Sequence, residues 1–259
     1  MSFVLLCVVA CRTRLSPPEV PPRADPIAAW GDLLAEAVTA DGYVDYALVE
    51  ANREPLDAYL VYLASDEILA EKMTGDNHSL HLNAYNAFVI FQVIERGRPA
   101  SVLDVPGWIP IDGSGFFLET EFDLGPDWLS LSEIEHERIR QLELDFRDHA
   151  AMNFASRSCP PMRRELYGRG SLQSQLREQF GRWVDDPERG VRIENGEAVF
   201  NPIFDWYARD FLFWSAGQDL CELTRRYASE PLATQLEQLQ IAGCPHRFFT
   251  YDWSLNDAR

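Results

Sequence analysis

Leu80-His81-Leu82-Asn83-Ala84-Tyr85-Asn86-Ala87-Phe88-Val89-Ile90-Phe91-Gln92-Val93-Ile94-Glu95 reads as one helix, apolar nearly all round and stopped by Gly97 and Pro99. A helix without a polar face must be surrounded by other elements, so it belongs in the middle of a core. Asn83 and Asn86 share one face of it, because residues three apart are neighbours on a helix. An unpartnered amide in a core costs about 1–3 kcal/mol, so both must hold something. The usual partner is a loop backbone. The alternatives are a ligand, or a catalytic imidazole oriented by Asn86 as in a Cys–His–Asn site.

Outward from this helix, Ile27 through Val38 has helical apolar spacing and ends at the Asp41-Gly42 turn. Tyr46 through Leu63 is a second helical stretch, broken or restarted by Pro55. Gly113 through Leu124 alternates and reads as strands. Ser130 or Ser132 starts a helix to about Leu144, and Ser132 with Glu135 has capping-box spacing. Leu172 through Val184 is amphipathic, and Asn195-Gly196 between two apolar triplets is a hairpin signal. Pro202 through Phe211 is helical, two more helices follow, and the end at Phe248 to Tyr251 is extended. The aromatic runs around Trp206 and Trp253 have the spacing of packing. Helices dominate and the strands are short and scattered, without βαβ alternation. The expectation is an α+β fold, mostly helical with one β-hairpin, as a single globular domain over residues 26–259.

The 259 residues carry 23 Lys plus Arg against 41 Asp plus Glu, a net charge of −18. Such a surface repels phosphate backbones and offers no basic stripe, which excludes nucleic acid as a partner. With 46% hydrophobic residues the chain fills a core.

Phe3 through Ala10 is a short apolar run followed by Cys11. It is too short to span a bilayer but suits a cleavable signal over residues 1–10. Val8-Val9-Ala10-Cys11 resembles a bacterial lipobox, although no Lys or Arg precedes the run. The competing reading is a buried N-terminal strand. With lipid on Cys11, the four prolines between Arg12 and Asp25 read as a semi-extended tether over residues 11–25. The resemblance implies a lipid anchor in the cell envelope, and Arg12 after the cysteine implies the outer membrane with a periplasmic domain. Cys159, Cys221 and Cys244 then remain in an oxidising compartment. Cys221 and Cys244 share the C-terminal third and are the plausible pair, which leaves Cys159 free.

The densest chemistry lies in His149 through Arg163. Cys159 precedes Pro160, which tolerates the first position of a helix. A thiol capping that helix has a lowered pKa and can act as a nucleophile. The bland alternative is a buried thiol under a Pro-Pro loop. His149, ten residues earlier, or His136 would be the general base. Glu135 falls inside the apolar arc of its helix and needs a cationic partner, for which Arg157 and Arg163 are candidates. The candidate catalytic set is therefore Cys159, His149, His136 and Asn86, with Glu135, Asn83, Ser156 and Arg157 as binding residues. No CxxC occurs, and the helix read from Leu80 carries only one histidine, so neither a metal nor a cofactor is expected.

Asn83-Ala84-Tyr85-Asn86-Ala87, Leu131 to His136, Asn153 to Pro161, Ile203 to Phe211 and Tyr251 to Asn256 follow in an order that resembles domain-of-unknown-function family 547, over roughly residues 43 to 256. The resemblance implies little about activity. The family usually has cysteine where this chain has Phe154, and an aromatic where His81 stands. Two functions compete: an envelope lipoprotein with a thiol-dependent hydrolase or transferase site, and a binding or assembly module with an unknown envelope partner, in which the same polar groups brace a loop. A sulfur–imidazole distance under about 4 Å, open to a cleft, separates them.

Overall fold

The computed structural model describes residues 12–21, 23–66, 68, 77–140, 145–214 and 219–258. The chain opens with β1 (Thr13–Leu15) and a helical layer of α1 (Pro26–Ala37), α2 (Tyr46–Ala51) and α3 (Glu54–Leu63). Asp25 caps α1 by accepting the Ala28 amide, and Asp45 caps α2 through Leu48. The stretch expected over Tyr46 through Leu63 splits at Asn52, because Pro55 is tolerated only in the first turn of a new helix. The long helix α4 (His78–Glu95) is buried on nearly every side and packs against α2, α3 and the segment after β3.

Gly113 through Leu124 departs from the all-strand expectation. Ser114–Phe117 forms one helical turn, α5, before β2 (Thr120–Leu124). A side chain at Gly115 would strike the Pro106 carbonyl, so the backbones touch there and alternation is lost. β2 turns at Gly125 (φ 68°) into β3 (Asp127–Ser130), a second hairpin beyond the single one expected. β1 adds to β2 in parallel, pairing Thr13 with Thr120. Arg12 to Leu15 of the supposed tether are thus laid on the domain. Arg12 bonds Glu121 and Glu133, Arg14 bonds Glu121, and Arg14 lies over the Trp128 ring.

The cap of the next helix is Ser130 with Glu133, not Ser132 with Glu135. One α turn, α6 (Leu131–Glu133), passes into a π turn over Ile134–Ile139, closed by the Arg140 amide on the Glu135 carbonyl. The rest of the stretch expected to reach Leu144 lies outside the described residues. Beyond it come α7 (Asp148–Ala151), an irregular segment through Arg163, and α8 (Leu172–Val184). β4 (Val191–Glu194) and β5 (Glu197–Phe200) form the expected hairpin, with both turn residues at positive φ. The helix expected from Pro202 breaks at Tyr207 into α9 (Ile203–Trp206) and α10 (Ala208–Trp214). α11 (Leu220–Arg225), α12 (Leu232–Ile241) and β6 (His246–Phe248), parallel to β5, complete two three-stranded sheets set among helices, an α+β fold. One core runs through all of it, with Trp183 stacked on Phe204 at 4.6 Å. The Cys221–Cys244 disulfide ties α11 to the loop after α12. Among the described residues no helix is long and apolar enough to cross a membrane.

Candidate functional site

Residues 152–163 have no helix and little strand, so their buried backbone groups need side-chain partners. The α4 amides supply some. Asn86 donates to the Ala151 carbonyl and accepts from the Asn153 amide, and Asn83 does the same double service for Tyr167. Both asparagines clamp loop backbone, and neither orients an imidazole. Asn153 donates to the Pro160 carbonyl and accepts from Ala155, whose φ of 56° makes the turn tight. Gln179 and Asn201 take the carbonyls of Pro161 and Ser158.

Cys159 sits at the centre of this loop and is 1% exposed. Its sulfur accepts the Phe154 N–H at 2.9 Å, with the hydroxyls of Ser156 at 3.1 Å and Tyr251 at 3.2 Å. The expected helix at Pro160 is absent, because the Pro160 and Pro161 carbonyls are given to Asn153 and Gln179. No helix dipole therefore acts on the thiol. Burial pushes it above its ordinary value, only partly offset by Ser156, Tyr251 and the Phe154 amide.

The two candidate bases point elsewhere. His149 is buried, with Nε2 at 2.8 Å from Asp210 and its ring 4.1 Å from that of Tyr207. Arg140 reaches the same carboxylate at 2.8 Å and also donates to His136 Nδ1 at 2.6 Å. Burial tends to raise the Asp210 carboxyl, but His149 and Arg140 outweigh it and hold it below the usual range. The π turn brings Glu135 near Arg140, at 3.9 Å, and against the Tyr207 hydroxyl, which burial and then Glu135 raise. The partner expected for Glu135 was Arg157 or Arg163. Arg163 instead pairs with Glu165 and Glu178. Among the described residues no imidazole hydrogen-bonds the Cys159 sulfur, so the structure does not join Cys159, His149, His136 and Asn86 into one relay.

Arg157, the one exposed residue of the cysteine loop, lies on a different feature. The guanidinium groups of Arg157 (5.3 Å) and Arg189 (4.9 Å) both lie over the Tyr43 ring. Beside it opens a cavity of about 740 Å³ lined by Tyr43, Arg157, Ser158, Arg189, Arg192 and Phe249 among others. A second, of about 620 Å³, lies across Tyr43 and includes Arg182. The last extended segment turns Thr250 and Asp252 to the first cavity, stacks Trp253 on half-exposed Trp206 and sets Tyr251 against it at a tilt. Arg189 is spent on Asp186 and Arg192 on Glu194. Arg157 has no carboxylate at ion-pair distance among the described residues. Tyr43, Arg189, Arg192 and Phe249 escaped the sequence reading, since nothing in their linear spacing joins them.

Asp219, Cys221 and Cys244 stand at ligand-like distances. The two sulfurs are joined in the disulfide and Asp219 caps α11, so the group is not a metal centre. Cys11 lies outside the described residues.

No curated protein and no solved structure matches the chain. A family model does match, over residues 72–184, a shorter span than the motifs suggested. It encloses α4, Glu135, His149 and the whole Cys159 loop, and leaves out Tyr43, Arg189, Asp210 and Tyr251. Residues 72–184 match the model of the family described as protein of unknown function, DUF547.

Proposed function

We propose that the chain is a non-catalytic binding module of the bacterial cell envelope, held by lipid on Cys11 at the outer membrane with its domain in the periplasm. The observation that carries this reading is the Cys159 sulfur, buried, raised, and bonded to Phe154, Ser156 and Tyr251 instead of an imidazole. A thiol so placed braces a loop. That loop presents Arg157 to solvent over Tyr43, beside a cavity large enough for a small ligand. In a chain of net charge −18, a guanidinium with no carboxylate at ion-pair distance, felt by Asp252 only at longer range, is a site for an oxyanion, carboxylate or phosphate.

Titrating inorganic phosphate and citrate into the chain by calorimetry tests the reading. Saturable binding, weakened about tenfold or more in Arg157→Ala, is expected, since a hydrogen bond to a charged group contributes about 1.5–3 kcal/mol. Absence of saturable binding, or indifference to Arg157→Ala, contradicts it. One observation favours a thiol-dependent hydrolase or transferase instead: the donors around the sulfur are ones that would steady a thiolate. That reading requires the sulfur to become accessible and meet His149 or His136.

A further inference from the structure

Pro106-Gly107-Trp108-Ile109-Pro110-Ile111 is an uncharged apolar run on the surface. Trp108 is 81% exposed, Ile111 61% and Ile109 37%. These side chains stand in water although the loop beneath them is firmly built. The Glu119 carboxylate accepts the amides of Trp108 at 2.6 Å and Ile109 at 2.8 Å. Ser114 donates its hydroxyl to the Ile109 carbonyl and its amide to the Ile111 carbonyl. A Cβ at Gly107 would run into Ser114 and Glu119, so the backbone is pressed onto its clamp. A framed loop that holds Trp and Ile outward is a contact surface waiting for an apolar partner.

What covers it follows from where the chain begins its described course. The Glu119 carbonyl accepts the Thr13 amide at 2.8 Å, while its carboxylate holds Trp108 and Ile109. β1 runs parallel to β2, so the backbone traced back from Thr13 heads toward the base of this finger. Arg12 is fixed there by Glu121 and Glu133, and the next residue is Cys11. Arg12 directly follows Cys11 in the sequence, so a lipid on Cys11, as proposed above, would be attached two residues before Thr13, whose amide bonds the residue that clamps the finger.

We propose that the Trp108–Ile111 finger inserts into the interface of the lipid bilayer, seating the domain directly on the membrane. The location of the anchor rests on the envelope reading above; the finger's own affinity does not. Tryptophan favours the headgroup level and isoleucine the acyl boundary beneath it. With a net charge of −18 the chain gains nothing from anionic headgroups, so insertion is apolar and insensitive to salt.

The full chain carrying Cys11→Ser, which removes the lipid, is sedimented with zwitterionic phosphatidylcholine vesicles. Weak partition that persists in raised salt is expected, falling about tenfold in Trp108→Ser and again in Ile111→Ser, the loss anticipated for a buried large apolar side chain. Brominated phosphatidylcholine should quench tryptophan emission in the parent and quench it less in Trp108→Phe, which still sediments. Both positions are exposed, so unchanged melting temperatures show that the fold is intact. No sedimentation, or sedimentation indifferent to both serine variants, overturns the proposal. Concentration-dependent self-association abolished by the same variants also overturns it, by making the finger a contact between copies. The phosphate and citrate titration reads Arg157 and its cavity, which share no residue with the finger, so the two tests fail independently.

Discussion

The Tyr251 hydroxyl lies 3.2 Å from the Cys159 sulfur while accepting the Ser156 hydroxyl at 2.7 Å. All three groups are buried, and burial holds both the Tyr251 phenol and the Cys159 thiol above their ordinary values. Tyr251 belongs to the last extended segment and Cys159 to the central loop, so this contact fastens the end of the chain to its middle. The neighbouring backbone bonds, Arg157 to Ser254 and Asn256 to Ala155, run the same way.

The clamp on that loop predicts the effect of Asn86→Leu. The change leaves the Ala151 carbonyl and the Asn153 amide without their side-chain partner. The variant should lose about 1–3 kcal/mol in denaturant unfolding, with faster amide exchange around Asn153. Unchanged stability and exchange would show that Asn86 does not hold the loop.

Asp148 predicts a pH dependence. Burial, only partly offset by its partner His78 at 2.8 Å, raises its carboxyl to about 7. A carboxyl raised on folding is protonated more in the native state, so its contribution is complete at low pH. It fades as pH rises toward about 7, at no more than about 1.4 kcal/mol per pH unit. Asp148→Asn should remove this slope from the stability profile between about pH 4 and 7. Identical slopes in the two proteins would contradict the assignment.

Glu119 behaves in the opposite sense. The Trp108 and Ile109 amides hold its carboxyl below the usual range. Its contribution is therefore present above the ordinary carboxylate pKa and lost as pH falls through the lowered one. Glu119→Gln should speed amide exchange at Trp108 and Ile109 near neutral pH and weaken vesicle binding. Exchange rates equal to those of the parent would mean the finger is braced by something else.

For the anchor, Cys11→Ser should free the protein from washed membranes, because serine carries no thioether lipid and the finger alone binds reversibly. Retention after repeated dilution would contradict lipidation at Cys11.

Much of the fold was legible because it rests on local signals. The nearly all-round apolar character of α4 put it at the centre, Asn195-Gly196 specified its hairpin, and their shared place in the C-terminal third singled out Cys221 with Cys244. Elements governed by distant contacts were not legible. Ser114–Phe117 coils because Gly115 abuts Pro106, and Thr13–Leu15 becomes a strand only because β2 offers an edge and Glu121 and Glu133 await Arg12. The cysteine loop was seen as a stretch of chemistry, but its pKa depended on where the Pro160 and Pro161 carbonyls went. Tyr43 and Arg189 meet only in three dimensions.

The most direct test of a structural Cys159 is iodoacetamide labelling of the native protein across pH, read at that residue and compared with the urea-unfolded chain. A buried sulfur bonded to Phe154, Ser156 and Tyr251 should label only on unfolding, with a native midpoint above the free-thiol value of about 8.5. Rapid native labelling near pH 7, with a midpoint below that value, would contradict the account and favour the thiol-dependent enzyme.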